Sequence, residues 1–172
     1  MKRNGSCCQQ NPLPVAAKLF LASSNAGKLA EFLVLAKDFA PGIELALFPG
    51  FDSVPAFEET APTFAENSLG KALHYSRHTN EVVLADDSGL VVPSLGGRPG
   101  VQSARYAGAD ATSAQRIEKL LGELSGKTGG ERAAHFVCAL SVVRQNHALA
   151  VITARAEGEI LLERREIGRA HV

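Results

Sequence analysis

Between Lys18 and Phe48 the hydrophobic period changes twice, and this constrains the fold more than any other feature of the chain. Residues 18–22 (KLFLA) are a short apolar run. Leu29, Phe32, Leu33, Ala36 and Ala40 then recur at helical spacing, and 43–48 (IELALF) returns to a strand-like run. Strand, helix and strand in that order predict a βαβ unit and hence an α/β domain. The first strand and the helix meet at Ser23-Ser24-Asn25-Ala26-Gly27-Lys28. Backbone N–H groups and the positive end of a helix can hold a phosphate there, with Lys28 adding a charge. The same residues also read as a βα turn in which Asn25 and Gly27 supply permissive backbone angles. The spacing is not that of a Walker A loop.

The α/β rhythm continues. Residues 49–62, rich in Pro, Gly and acidic groups, read as loop, and Thr63 with Glu66 forms a capping box that opens a helix to about His78. Phe64, Ala65, Leu69, Ala72, Leu73 and Ser76 fall on one side of it; Asn67, Lys71, His74 and His78 fall on the other. Residues 82–85 (VVLA) predict a buried strand, with Asp86-Asp87-Ser88-Gly89 opening a turn-rich stretch through Gly108. Thr112 and Gln115 cap a third helix with an apolar stripe of Ile117, Leu120, Leu121 and Leu124 and a stop at Gly126. Residues 135–143 and 148–156 predict an antiparallel hairpin across Arg144 to His147.

A chain of 172 residues, 45% hydrophobic and 21% charged, is ordinary for one globular domain and excludes disorder and coiled coil. A domain of this size buries roughly 68–70% of its unfolded surface, so it needs no disulfide staple. Eighteen basic and eighteen acidic residues cancel, leaving no overall field to draw nucleic acid or anionic lipid. Any anionic ligand must be held locally. Cys7, Cys8 and Cys138 form no useful staple, which fits a reducing cytosol. Residues 1–17 are expected to be a loose tail without a signal peptide, and no apolar run is long enough to span a membrane.

Candidate chemistry gathers at a few places. Asp86 and Asp87 follow an apolar strand, where α/β sheets place their ligand crevices. Two carboxylates there can hold a hard cation, and one can take a proton from water; the alternative is an Asp/Ser/Gly turn. Glu58-Glu59-Thr60 either reaches the same crevice as a further metal ligand or is a pair of solvated loop charges. Glu66 is explained by capping, and Lys71 by a solvated face unless that face lines the crevice. His74 and His78 stand four apart, but no Glu follows His74, so no zinc site is read. Gly96 to Gly100 and Ser103 to Gly108 read as turns around a binding loop, with Arg105 its natural anion partner. No cysteine has a setting for catalysis.

Taken in order, S-S-N-A-G-K, E-E-T, T-F-A-E-N-S-L-G-K-A, A-D-D-S-G-L and L-G-G-R-P-G-V-Q-S-A-R-Y-A-G resemble the inosine triphosphate pyrophosphatase family from about Lys18 to Arg165. The resemblance implies an α/β fold with a mixed central sheet flanked by helices, two lobes and an active-site cleft, usually as a homodimer. It implies cleavage of ITP, dITP or XTP between the α- and β-phosphates, with Mg²⁺, giving the monophosphate and pyrophosphate. By motif, Ser23, Ser24, Asn25, Ala26, Gly27 and Lys28 would hold the triphosphate and Ser88 the substrate. Glu58 and Asp87 would hold Mg²⁺, and Asp87 would be the general base. The choice of Glu58 over Glu59, and of Asp87 over Asp86, rests on the resemblance alone. A Maf-type nucleotide pyrophosphatase is the nearest alternative, but its first loop is usually S-x-S-P-R-R, unlike Asn25 to Lys28. A nucleotide-binding form without turnover is the other.

The family's later base-reading segments, a glycine-rich F-G-Y-D-P-like run, a Lys and a Ser-His-Arg, do not occur here. Residues 166–172 (EIGRAHV) read as the in-frame translation of a common sequencing adapter. The expectation is therefore an incomplete domain over 18–165, with exposed apolar surface and poor folding or activity as written.

Overall fold

In the computed structural model, which describes residues 18–40 and 42–165, the βαβ start is present. β1 (Lys18–Leu21) and β2 (Glu44–Leu47) run parallel in register from Lys18↔Glu44 to Leu21↔Leu47, joined by α1 (Ala26–Phe39). α2 (Phe64–Ser76) leads into β3 (Val82–Val91), which pairs with the other edge of β1. α3 (Ser113–Glu123) follows, then the antiparallel pair β4 (Ala133–Arg144) and β5 (His147–Glu159). The five strands lie in the order β2-β1-β3-β4-β5, a mixed sheet flanked by helices, as expected. Residues 1–17 and 166–172, expected as a loose tail and an adapter-derived tail, lie outside the described residues.

β3 and the hairpin are longer than their apolar runs suggest. Asp86-Asp87-Ser88-Gly89 is not a turn: these residues lie in the middle of β3, paired with Leu140, Ala139, Cys138 and Val137 of β4. Asp, Ser and Gly have low strand propensity, and a ladder from Val82↔Arg144 to Val91↔His135 overrides it. Gly89 is there for close approach: a Cβ would lie 2.4 Å from Ser103 Oγ and 2.7 Å from the Gly100 carbonyl oxygen. The hairpin turn is tighter than read, with only Gln145 and Asn146 between the strands, at φ 49° and 64°. Two consecutive left-handed residues match the right-handed twist of the strands.

Each helix starts at a polar cap. Thr112 Oγ1 accepts from Gln115 N while Gln115 Oε1 accepts from Thr112 N, the full capping box. At α2 the box is half-formed: Thr63 Oγ1 accepts from Glu66 N but donates to the Glu66 carboxylate instead of leaving it to the backbone. Thr112→Ala is expected to cost about 1 kcal/mol, read as a lower urea midpoint; an unchanged midpoint would show that α3 is held by packing alone.

The core falls into two parts, in keeping with the expected two lobes. Under α2, Ala22, Phe48, Ala72, Tyr75, Val83, Ala85 and Val143 pack together, with Tyr75 stacked on Phe51 at 4.6 Å between ring centroids. Around α3, Val92, Leu95, Tyr106, Leu120, Leu124 and Ala134 form the second. The Tyr106 hydroxyl donates to Glu123 at 2.8 Å; burial and that carboxylate push its pKa up to about 12. The expected exposed apolar surface is present. α1 buries no residue fully, leaving Leu33, Val34, Leu35 and Phe39 exposed, and edge strand β5 exposes Leu149, Val151 and Ile152. No helix among the described residues is long and apolar enough to cross a membrane.

Candidate active site

β1 stops pairing with β3 at Leu21↔Leu84, with one further bond from Ala22 N to the Leu84 carbonyl. Beyond that point β3 is paired along one edge by β4, and on the other it has only an isolated bridge from Val91 to Pro99. The opening lies at the carboxyl ends of the parallel strands, where such sheets bind ligands. Ser23 to Lys28 leave β1 into it, and Asp86 to Ser88 pass along it.

The first loop is a pre-shaped helix entry. Asn25 caps α1, its Oδ1 accepting from Gly27 N at 2.8 Å and Lys28 N at 3.3 Å, and Ser23 Oγ accepts from Asn25 N at 3.0 Å. The Ser24 and Ala26 N–H groups have no partner among the described residues. Lys28 Nζ reaches out of the first turn to Asp86 Oδ2 at 2.7 Å.

Successive strand residues point to opposite faces, so Asp86 and Asp87 cannot chelate one cation together as adjacent carboxylates. Asp86 faces α1 and takes Lys28; Asp87 faces α2 and takes Asn67 Nδ2 at 3.0 Å. Burial pushes the Asp87 carboxyl above the usual carboxylate range, the Asn67 hydrogen bond pulls it down, and Glu59 raises it again. Lys71 and the Ser88 N–H also favour its ionised form.

Asn67 and Lys71, assigned to a polar outer face by the helical period, belong to the site. Asn67 is fully buried; besides Asp87, it accepts from Ala61 N at 2.8 Å and donates to the Ala61 carbonyl. Lys71 pairs with Glu59 at 2.9 Å and points a second N–H at the Asp86 carbonyl, 3.4 Å away. That polar side of α2 lines the crevice, the condition under which Lys71 would matter. Asn67→Leu is expected to cost about 2–3 kcal/mol, since it strands both Ala61 backbone groups and Asp87 Oδ2. An unchanged urea midpoint would show that water replaces the amide.

The acidic loop is fixed from below. Phe57 lies on α2 over Gly70, where a Cβ would come within 2.5 Å of its ring, and the Pro55 carbonyl is 2.7 Å from His74 Nε2. Glu59 is half-buried and held by Lys71; Glu58 is exposed, and its carboxylate has no ionic partner among the described residues. Phe57, Glu58, Glu59, Thr60 and Arg105 line a concavity of about 360 Å³, and Arg105 Nη2 donates to the Glu59 carbonyl at 2.7 Å. The first loop, Asp87, Lys71, Glu59 and Arg105 thus meet around one opening. Cys138 pairs with Ser88 across the ladder, and burial pushes its thiol up, away from nucleophilic use.

Comparison with known proteins places the chain among relatives of known family. The chain is 47% identical over 144 residues to a dITP/XTP pyrophosphatase of Geobacillus kaustophilus, covering 83% of this chain and 69% of that protein. It is 46% identical over 127 residues to one of Methylococcus capsulatus, covering 74% and 62%. It therefore spans about two thirds of the length of these relatives. The structure superposes on a HAM1 protein from Coxiella burnetii with a TM-score of 0.76 at 41% identity, covering 87% of this chain and 75% of that one. The Staphylococcus aureus Ham1 protein gives 0.76 at 35% identity, covering 90% and 78%. These relatives do not favour the Maf-type alternative. The Ham1 family pattern itself matches residues 19–170, well over half the sequence, and with the shared sheet this shows that the chain belongs to the Ham1 family.

Proposed function

We propose that the protein hydrolyses deaminated purine nucleoside triphosphates (ITP, dITP and XTP) to the monophosphate and pyrophosphate. The observation that carries this reading is the meeting of Lys28, Lys71 and the buried Asp87 at one opening of the sheet. The names of the similar proteins supply the substrate class.

Ser23 to Lys28 hold the polyphosphate through free backbone N–H groups, the positive end of α1 and the Lys28 ammonium. Ser88 contacts the substrate beside them. Asp87, fixed by Asn67 and raised by burial, accepts the proton of a water whose oxygen forms a bond to the α-phosphorus. The bond from that phosphorus to the oxygen bridging to the β-phosphorus breaks, and pyrophosphate leaves with the electron pair. Lys28 and Lys71 stabilise the charge that develops on it.

The donor set suits Mg²⁺, which binds through one or two carboxylates and takes its other ligands from phosphate and water. Asp87 and Glu58 would hold it: Glu59 is neutralised by Lys71, whereas the Glu58 carboxylate has no ionic partner among the described residues. When bound, it would neutralise phosphate charge and polarise the reacting phosphoryl group. The same reading makes the protein cytoplasmic and homodimeric, and the zero net charge supports a reading without nucleic acid or membrane as partners.

The test is pyrophosphate release from ITP and XTP against GTP, with Mg²⁺ and with chelator. It is run on the chain and on a chimera continued past residue 165 with the Geobacillus segment. ITP and XTP are expected to be cleaved, with a loss of at least about 100-fold on chelation. Mg²⁺-dependent binding without turnover in both proteins would favour the non-catalytic alternative.

A further inference from the structure

Asp86 lies beside Asp87 in β3, has no part in the proposed chemistry, and is the more buried of the two, 4% exposed against 8% for Asp87. Its Oδ2 lies 2.7 Å from Lys28 Nζ, while its Oδ1 is fully buried with no hydrogen-bond partner among the described residues. A carboxylate taken out of water with one oxygen unsatisfied is costly to keep unless a cation holds it. Lys28 is that cation. The pair ties the first turn of α1 to the middle of β3, across the gap where β1 has stopped pairing. On the other face the Asp86 carbonyl faces Lys71, so this one residue touches both lysines of the site.

Lys28 carries three N–H donors on a flexible four-carbon arm, and its side chain is 36% exposed. A freely rotating ammonium loses conformational entropy when it grips a phosphate; one already held does not. We propose that Asp86 is a positioning residue whose carboxylate holds the Lys28 ammonium at the first loop, leaving its two remaining N–H groups for the polyphosphate. This rests on the reading of Ser23 to Lys28 as the phosphate cradle.

The experiment is calorimetric titration of the 172-residue chain with inorganic pyrophosphate at fixed Mg²⁺, for wild type, Lys28→Met, Asp86→Asn and the double variant. Asp86→Asn is expected to weaken binding about tenfold, the size of one charge-assisted hydrogen bond, and the double variant to bind no more weakly than Lys28→Met alone. Tighter binding by Asp86→Asn would show that the carboxylate competes with phosphate for Lys28, and would overturn the proposal. A tenfold loss that persists in the Lys28→Met background would overturn it too, as a merely structural effect. Lys28→Met binding like wild type would instead remove the cradle reading, and this inference with it. Should Asp86→Asn not fold, the wild-type Lys28 ammonium is followed by nitrogen-15 NMR without pyrophosphate. A resolved, slowly exchanging signal supports the held lysine; one averaged with solvent overturns it.

Discussion

Asp87→Asn is expected to lower turnover of ITP at least about 1000-fold while leaving the fold intact, the upper part of the range for losing a general base. The substitution is isosteric, and an Asn at this position still accepts from Asn67 Nδ2, so the link between β3 and α2 survives. Stability should hold or rise. Burial disfavours the ionised form of Asp87 and nearby Glu59 adds to this, so a neutral side chain removes a cost that the native state carries for function. The comparison is made in the chimera described above, by steady-state kinetics and a thermal melt. More than a tenth of the activity remaining would take Asp87 out of its role. A collapsed melt would mean that its charge serves the fold.

Arg132→Met should have the largest effect on stability, about 3–5 kcal/mol, a substantial part of what holds an ordinary domain together. Arg132 is only 4% exposed and has no acidic partner among the described residues. Its guanidinium donates instead to four backbone carbonyls: Leu124 at 2.9 Å, Lys127 at 3.4 Å, Ile160 at 2.7 Å and Leu161 at 2.6 Å. Two of these acceptors lie just past the C-terminus of α3, where the negative end of the helix favours a cation, and two lie just past β5. Met keeps the length and apolar contact of the arm but leaves those carbonyls without a donor. The urea midpoint reads the loss; a change under 1 kcal/mol would show that water reaches the carbonyls.

Neither Arg132 nor Asn67 was legible in the sequence, for different physical reasons. Arg132 sits in Gly-Gly-Glu-Arg, a segment with no hydrophobic period, and its acceptors are backbone groups that come together only when β5 returns past α3. Asn67 falls on the polar side of α2, which a helical projection assigns to water; in the fold that side faces the crevice. The repeating periods were legible: β1, α1, β2, the α3 cap and the hairpin follow from spacing alone. Asp86 to Gly89 was misread because pairing with β4 outweighs local propensity, and the correction matters chemically. As a turn, both carboxylates would serve one site; as a strand, they serve opposite faces, one holding Lys28 and the other facing Asn67 and Lys71.

The most direct test of the account is hydrolysis of ITP in water enriched in oxygen-18, with both products examined by mass spectrometry. Attack on the α-phosphorus by a water that Asp87 deprotonates predicts one heavy oxygen in the monophosphate and none in the pyrophosphate. Label in the pyrophosphate, or release of inorganic phosphate in its place, would put the attack at another phosphorus and contradict the proposed site.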